Sequence, residues 1–313
     1  MQRSPRDWLV LFLKGATMGA ADAVPGVSGG TVAFIAGIYE ELLDSIRAIT
    51  PAALRLLRGQ GIGAFWRHIN GTFLVVLLSG ILASLASFAR LAVYLLEHYP
   101  ALLWAFFFGL IVASSVWMVR QIRGWNSRSL LALLVGVLLA FKLTLVSPVQ
   151  AELTSITVFL AGSVAICAMI LPGISGSFIL LLLGMYGPIM GAVKGFDLPV
   201  LGLFLAGCTL GLLSFSHLLS WMFRHYRQLT LALLTGFMIG SLNRVWPWKY
   251  TTSYRINSHG AQVPLQQDNV LPGSYEALTG QDPYLLGALA LMLIGAVLVY
   301  ILEAKMNPAS HAR

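Results

Sequence analysis

Apolar sequence in this chain is interrupted twice in the same way. Val24-Pro25-Gly26-Val27-Ser28-Gly29-Gly30-Thr31 and Leu171-Pro172-Gly173-Ile174-Ser175-Gly176-Ser177 share a Pro-Gly-aliphatic-Ser-Gly core at an offset of 147 residues (Pro25 to Pro172), and Gly37 and Tyr39 recur at that offset as Gly184 and Tyr186. Proline removes a backbone donor and clashes inside a helix, while glycine admits backbone shapes that leave N–H groups free. In hydrocarbon such a break is tolerable only where protein buries it or it lines a cavity. Two related breaks therefore predict one binding site assembled from two halves.

The surroundings of the breaks make hydrocarbon the relevant solvent. Of 313 residues, 58% are hydrophobic and 10% charged, far from the balance of an ordinary soluble domain. Apolar runs of about 20 residues recur, each long enough to cross a bilayer as a helix, and none alternates as a membrane barrel strand does. The expected fold is an all-α polytopic membrane protein. The net charge of +8 is explained by Lys and Arg in short cytoplasmic loops and calls for no nucleic acid partner. Cys167 and Cys208 fall in apolar segments and read as small core residues. Lys14 and Asp22 interrupt the first apolar run, so no secretory signal peptide is expected.

Charge placement then orders the chain. Residues 8–47 are basic at both outer ends, so their two arms, Trp8–Asp22 and Thr31–Ile46, should enter and leave on one side as a re-entrant hairpin. Residues 52–67, basic with interspersed Leu, Phe and Trp, should lie in the cytoplasmic interface. Spans follow at 72–96, 101–119 and 130–146, completing a first half at 147. The second half, 148–313, repeats the plan with a hairpin at 156–193, spans at 198–223, 229–246 and 284–302, and a polar external loop at 247–283. In that loop Trp246, Trp248, Tyr250 and Tyr254 read as an aromatic belt. Gly80, Ser87, His98, Gly109 and Ser114 match Gly207, Ser214, His225, Gly236 and Ser241 without a gap, at an offset of 127 (Gly80 to Gly207). A hairpin plus three spans is an odd number of crossings. The second half is thus predicted to be inverted, with both termini cytoplasmic, as in transporters that alternate access around a midplane site.

Each break ends in Ser and Gly followed by a helical run, which places free N–H groups and hydroxyls at a half-helix start. Ser28, Gly29, Gly30 and Thr31 from one half and Ser175, Gly176 and Ser177 from the other would hold a phosphate or carboxylate; the alternative is a helix break needed only for packing. Arg90 is the cation placed to offset the anion's charge, unless it snorkels. Asp22 and Glu41 are candidates for coupling to a proton or sodium ion, and His217 aligns with Arg90 in the opposite half. Glu40 and Asp44 read as solvated, Lys142 and Arg244 as interfacial anchors. No metal, nucleotide or nucleophile signature is present, so neither a cofactor nor a metal is expected.

The two blocks, with Gly19-Ala20-Ala21-Asp22-Ala23 before the first, Gly37-Ile38-Tyr39-Glu40-Glu41 and Gly184-Met185-Tyr186 after them, and Trp246-Pro247-Trp248-Lys249 downstream, resemble the bacterial polyprenyl-phosphate translocase family. The resemblance covers nearly the whole chain. It implies a flippase that moves undecaprenyl phosphate from the outer to the inner leaflet of the plasma membrane, recycling the carrier lipid of peptidoglycan and envelope polymers. Membrane lipids would be its other partners. Inverted-repeat undecaprenyl pyrophosphate phosphatases are similar in having a Pro-Gly-x-Ser break, but there an Arg follows the Ser where this chain has Gly29 and Gly176. That departure argues against hydrolysis. A phosphatase, or an ion-coupled transporter of a small anion, remains the alternative.

Overall fold

The computed structural model describes residues 3–24, 27–146, 152–256 and 262–306. Pro25 and Gly26 of the first break lie outside them, as do residues 1–2 and 307–313, whose assignment to the cytoplasm rested on charge.

Ser4 opens α1 (Pro5–Asp22) through a capping box with Asp7. The arm expected to run unbroken from Thr31 to Ile46 is instead two short helices, α2 (Gly29–Ile35) and α3 (Tyr39–Arg47). Gly37 causes the division: at φ 68° it adopts the left-handed conformation that ends α2, with Gly37 N–H donating to the Phe34 carbonyl and Ile38 N–H to that of Ala33. α4 (Pro51–Gln60) and α5 (Ile62–His68) occupy the segment assigned to the interface. Three long helices follow, α6 (Gly71–His98), α7 (Pro100–Gln121) and α8 (Ser127–Leu145).

α9 (Ser155–Ile170) leads to the second break, and α10 (Gly176–Leu182) and α11 (Tyr186–Gly195) follow it at a 108° bend. Gly184, φ 69°, ends α10 as Gly37 ends α2. α12 (Leu198–His225) and α13 (Arg227–Ser241) come next. α2 and α10 are each seven residues long and start 147 residues apart; α6 and α12 are each 28 residues long and start 127 apart. α13 stops at Ser241, short of the span expected to reach Trp246, because residues 242–245 form turns.

The external loop departs from an all-α fold. β1 (Lys249–Ile256) and β2 (Gln262–Asn269) pair antiparallel with Lys249 opposite Asn269, then α14 (Pro272–Thr279) leads to α15 (Leu285–Met306). Trp246 and Trp248, expected in an aromatic belt, are instead interior groups of this cap. Their indole N–H groups donate to the Val270 and Pro283 carbonyls, and Trp248 packs with Tyr275, Ala101 and Ala288. The amphipathic indole suits a lipid headgroup region and a hydrogen-bonded apolar pocket equally, so composition did not separate the two.

Among the described residues four helices are long and apolar enough to cross a membrane, α6, α7, α8 and α12, or five elements if the bent pair α10–α11 counts as one. Exposed Leu78, Leu82, Leu134, Leu138, Leu205, Leu210, Leu289 and Leu293 give α6, α8, α12 and α15 apolar outer faces, as a lipid solvent allows. Inside, four helix pairs, α1·α6, α9·α12, α7·α15 and α8·α13, carry most of the packing. Each is closed by glycines meeting the partner's backbone. A methyl group at Gly15 would overlap the Leu77 carbonyl and one at Gly80 that of Phe12; Gly162 and Gly207 stand in the same relation to Phe204 and Phe159. Close backbone approach of this kind replaces the hydrophobic effect as the packing force between helices in lipid.

Candidate functional site

The two breaks touch. Ser28, buried before the first residue of α2, directs its hydroxyl toward the Met169 and Leu171 carbonyls at 3.2 and 3.3 Å, and accepts from Gly30 N–H at 3.1 Å. In return Gly173 N–H, within the second break, donates to Thr31 Oγ1 at 2.8 Å. Gly30 must lack a side chain, since a Cβ there would lie 2.5 Å from the Ile170 carbonyl oxygen and 2.8 Å from that of Met169. The free carbonyls at the end of α9 thus find donors in the opposite half.

The expected symmetry of the breaks is not observed. Asp22, at the end of α1, folds back so that Oδ1 accepts from Gly29 N–H at 2.7 Å. Gly29 leaves no room for anything else, because a Cβ there would fall on the Asp22 carboxylate. With Ser28 and Thr31 also engaged, the first break already holds an anion, and it is the protein's own. The residue at the corresponding place before the second break is Met169. There Ser175 and Ser177 hydroxyls lie 3.0 Å apart, and Ser175 lines a small cavity with Gly173, Phe178, Ala140, Thr144, Ser241 and Arg244.

Arg244 is the residue that sequence reasoning assigned elsewhere. Its guanidinium carbon lies 4.6 Å from the Phe178 ring centroid, it takes part in no ion pair among the described residues, and its buried Nε has no hydrogen-bond partner there. Lys249 lies behind it, fully enclosed, with Nζ donating to the Arg244 carbonyl at 2.5 Å and sitting 3.7 Å from the Trp104 ring centroid. Burial, and secondarily the Arg244 charge, push the Lys249 ammonium well below its usual range. The available signal was the spacing of Ser241 and Arg244, one turn apart at the end of an apolar run.

Arg90 does not reach the breaks. It is exposed on α6, two residues from fully buried Ala92 and therefore on the opposite face of the helix. His217 is likewise exposed on α12, with Nδ1 2.7 Å from the Leu213 carbonyl of its own helix. Glu41 bonds Arg3 and accepts from Asn70 Nδ2 at 2.9 Å. Glu40 and Asp44 are exposed, as read from the sequence, and are also partnered: Glu40 pairs with Arg227 at 2.8 Å, and Asp44 accepts from the Ser220 hydroxyl at 2.6 Å. α3 is therefore tied by its acidic residues to the segment before α1, to α12 and to the start of α13. Lys14, whose Nζ donates to the Ala36 carbonyl at 2.7 Å, caps the end of α2.

Comparison with known proteins places the chain in a family. A family described as undecaprenyl phosphate translocase-like matches residues 18–263. A polyprenyl-phosphate transporter of Vibrio cholerae serotype O1 is 54% identical over 297 residues, 95% of this chain and 96% of the relative. A polyprenyl-phosphate transporter of Staphylococcus aureus is 32% identical over 257 residues, 75% of this chain and 85% of the relative. No solved structure matches. With a family match over most of its length and a relative at this identity, the chain belongs to the undecaprenyl phosphate translocase-like family.

Proposed function

We propose that the protein carries undecaprenyl phosphate from the outer to the inner leaflet of the bacterial plasma membrane, returning the carrier lipid to peptidoglycan and envelope polymer synthesis. The observation that carries this reading is the contact of two Ser-Gly breaks deep among apolar helices, through Ser28, Thr31 and Gly173. A lipid phosphate needs polar groups at that depth and a lipid-facing route for its tail. In this reading the halves are inverted, each a re-entrant hairpin followed by three spans. The equal lengths and offsets of α2 and α10 and of α6 and α12, and the matched glycine contacts of α1·α6 and α9·α12, support it.

The acidic ties of α3 then close the cytoplasmic side, and the cavity beside Ser175 is the outward-facing end of the site. Phosphate is received by Ser175, Gly176 and Ser177 and passes to Ser28, Gly29, Gly30 and Thr31 when Asp22 withdraws. A proton or sodium ion taken up by Asp22 would drive that withdrawal, which makes Asp22 the coupling group in preference to Glu41 or His217. Hydrolysis is disfavoured by space at the second break: a Cβ at Gly176 lies 2.7 Å from the Ala165 carbonyl oxygen, a backbone atom, so that place does not take the Arg of a phosphatase, whereas at Gly29 an added side chain meets only the Asp22 carboxylate.

The test is reconstitution of the protein into vesicles with a fluorescent undecaprenyl phosphate. Faster transbilayer movement than in protein-free vesicles is expected, and equal rates would overturn the proposal. Phosphate released from undecaprenyl pyrophosphate by the same preparation would favour an enzyme.

A further inference from the structure

Among the described residues, Arg244 stands beside a break, largely enclosed and without a counter-charge. Burying a guanidinium is costly unless it is paired and hydrogen-bonded, and a structural role normally supplies that partner. The three ion pairs among the described residues lie on α3 and use Arg3, Arg47 and Arg227. Arg244 has in their place only the face of Phe178 and an Nε with no acceptor. A simple anchor at the membrane surface would hold its head in water; this one turns it into a cavity shared with Ser175.

Resting on the transport reading above, we propose that Arg244 neutralises the phosphate monoester in a pocket at the second break, with the Ser175 and Ser177 hydroxyls as further donors and Phe178 as a movable cover. The fork of a guanidinium suits a phosphate better than a point charge, because two parallel N–H groups match two oxygens. The hydroxyls are free to turn: Ser175 and Ser177 bond one another, so one proton is released to a ligand without stripping a backbone partner. Lys249 is the positioning residue. Its Nζ donates to the Arg244 carbonyl and so fixes the turn that carries the guanidinium.

The cavity as it stands has about 10 Å³, room for one water. A phosphate enters only if Phe178 swings away, exchanging a ring face for charged oxygens over the guanidinium. Phe178 starts from a half-buried position at the second residue after Gly176. The asymmetry of the breaks fits this assignment, since the first carries its own carboxylate on Gly29 and the second carries a cation that lacks one.

The experiment measures binding of undecaprenyl phosphate and, separately, of inorganic phosphate to detergent-solubilised wild type, Arg244→Gln, Arg244→Lys and Phe178→Leu. Monodisperse elution and the melting midpoint report folding. Arg244→Gln is expected to weaken undecaprenyl phosphate binding at least tenfold, Arg244→Lys to recover part of it, and Phe178→Leu to strengthen binding of inorganic phosphate by uncovering the cation. Wild-type binding and flipping with an unchanged affinity in folded Arg244→Gln would overturn the proposal and leave the transport reading standing. Binding of inorganic phosphate alone, lost in Arg244→Gln, would keep the pocket and remove the lipid. Binding of neither ligand by wild type would overturn the pocket. If Arg244→Gln does not fold, Arg244→Lys and Phe178→Leu decide: affinities equal to wild type in both overturn the proposal.

Discussion

Replacing Gly30 by alanine tests the meeting of the two breaks more directly than any other single change. Gly30 is the second residue of α2, where alanine by itself favours the helix and, by restricting the unfolded chain, would stabilise by about 0.4–1 kcal/mol. The structure reverses that sign. The new Cβ would lie 2.5 Å from the Ile170 carbonyl oxygen, roughly 1 Å inside an ordinary nonbonded contact of about 3.5 Å. Both partners are backbone, so the halves must separate. The overpacking costs about 1–3 kcal/mol. Separation also weakens two hydrogen bonds between the breaks, Ser28 to the end of α9 and Gly173 to Thr31, at about 0.5–1.5 kcal/mol each. Set against the gain of about 0.4–1 kcal/mol, a net loss of about 1–5.6 kcal/mol follows. The assay is thermal unfolding in detergent beside Gly187→Ala, a helical site with nothing within 4 Å of the added Cβ. Gly187→Ala should melt at or slightly above wild type and Gly30→Ala well below it. If Gly30→Ala also melts at or above wild type, the breaks do not touch as described.

Asp22→Ala should lower stability by about 1–3 kcal/mol, the cost of an unsatisfied buried N–H at Gly29, and Asp22→Asn by less because it keeps an acceptor; thermal unfolding separates the two. Ser175→Ala should reduce flipping of fluorescent undecaprenyl phosphate at unchanged melting temperature. Ser28→Ala should also cost about 0.5–2 kcal/mol in stability, because Ser28 caps α2. Lys249 is held neutral more readily folded than unfolded, so wild type pays a growing penalty as pH falls below the unfolded value of about 10.4 toward the lower folded one. Lys249→Met should therefore gain stability relative to wild type as pH is lowered from about 10 to 8, read from paired melts; a constant difference would mean that Lys249 is not desolvated.

The placement of the breaks was legible in the sequence because its causes are local. Proline, glycine and the apolar run around them act on the backbone where they stand, and the offsets of 147 and 127 residues reappear in the starts of α2, α10, α6 and α12. The bends at Gly37 and Gly184 were also local, and the repeated Gly-x-Tyr marked them, although it was read as part of a longer arm.

Which side chains meet at those breaks was a tertiary decision. Arg90 and Arg244 both stand in apolar segments and look alike in one dimension, yet helix rotation sends the first outward from α6 and the turn after α13 brings the second over Phe178. Asp22 answers Gly29 across a break whose geometry sets the distance, and Trp248 is interior because a β-hairpin and α14 close over it. Sequence determined that this chain lives in lipid and breaks its helices twice at matching places. Only the folded path of the chain around each break decided that the first is filled by its own carboxylate, while the second keeps a cation with no ion-pair partner among the described residues.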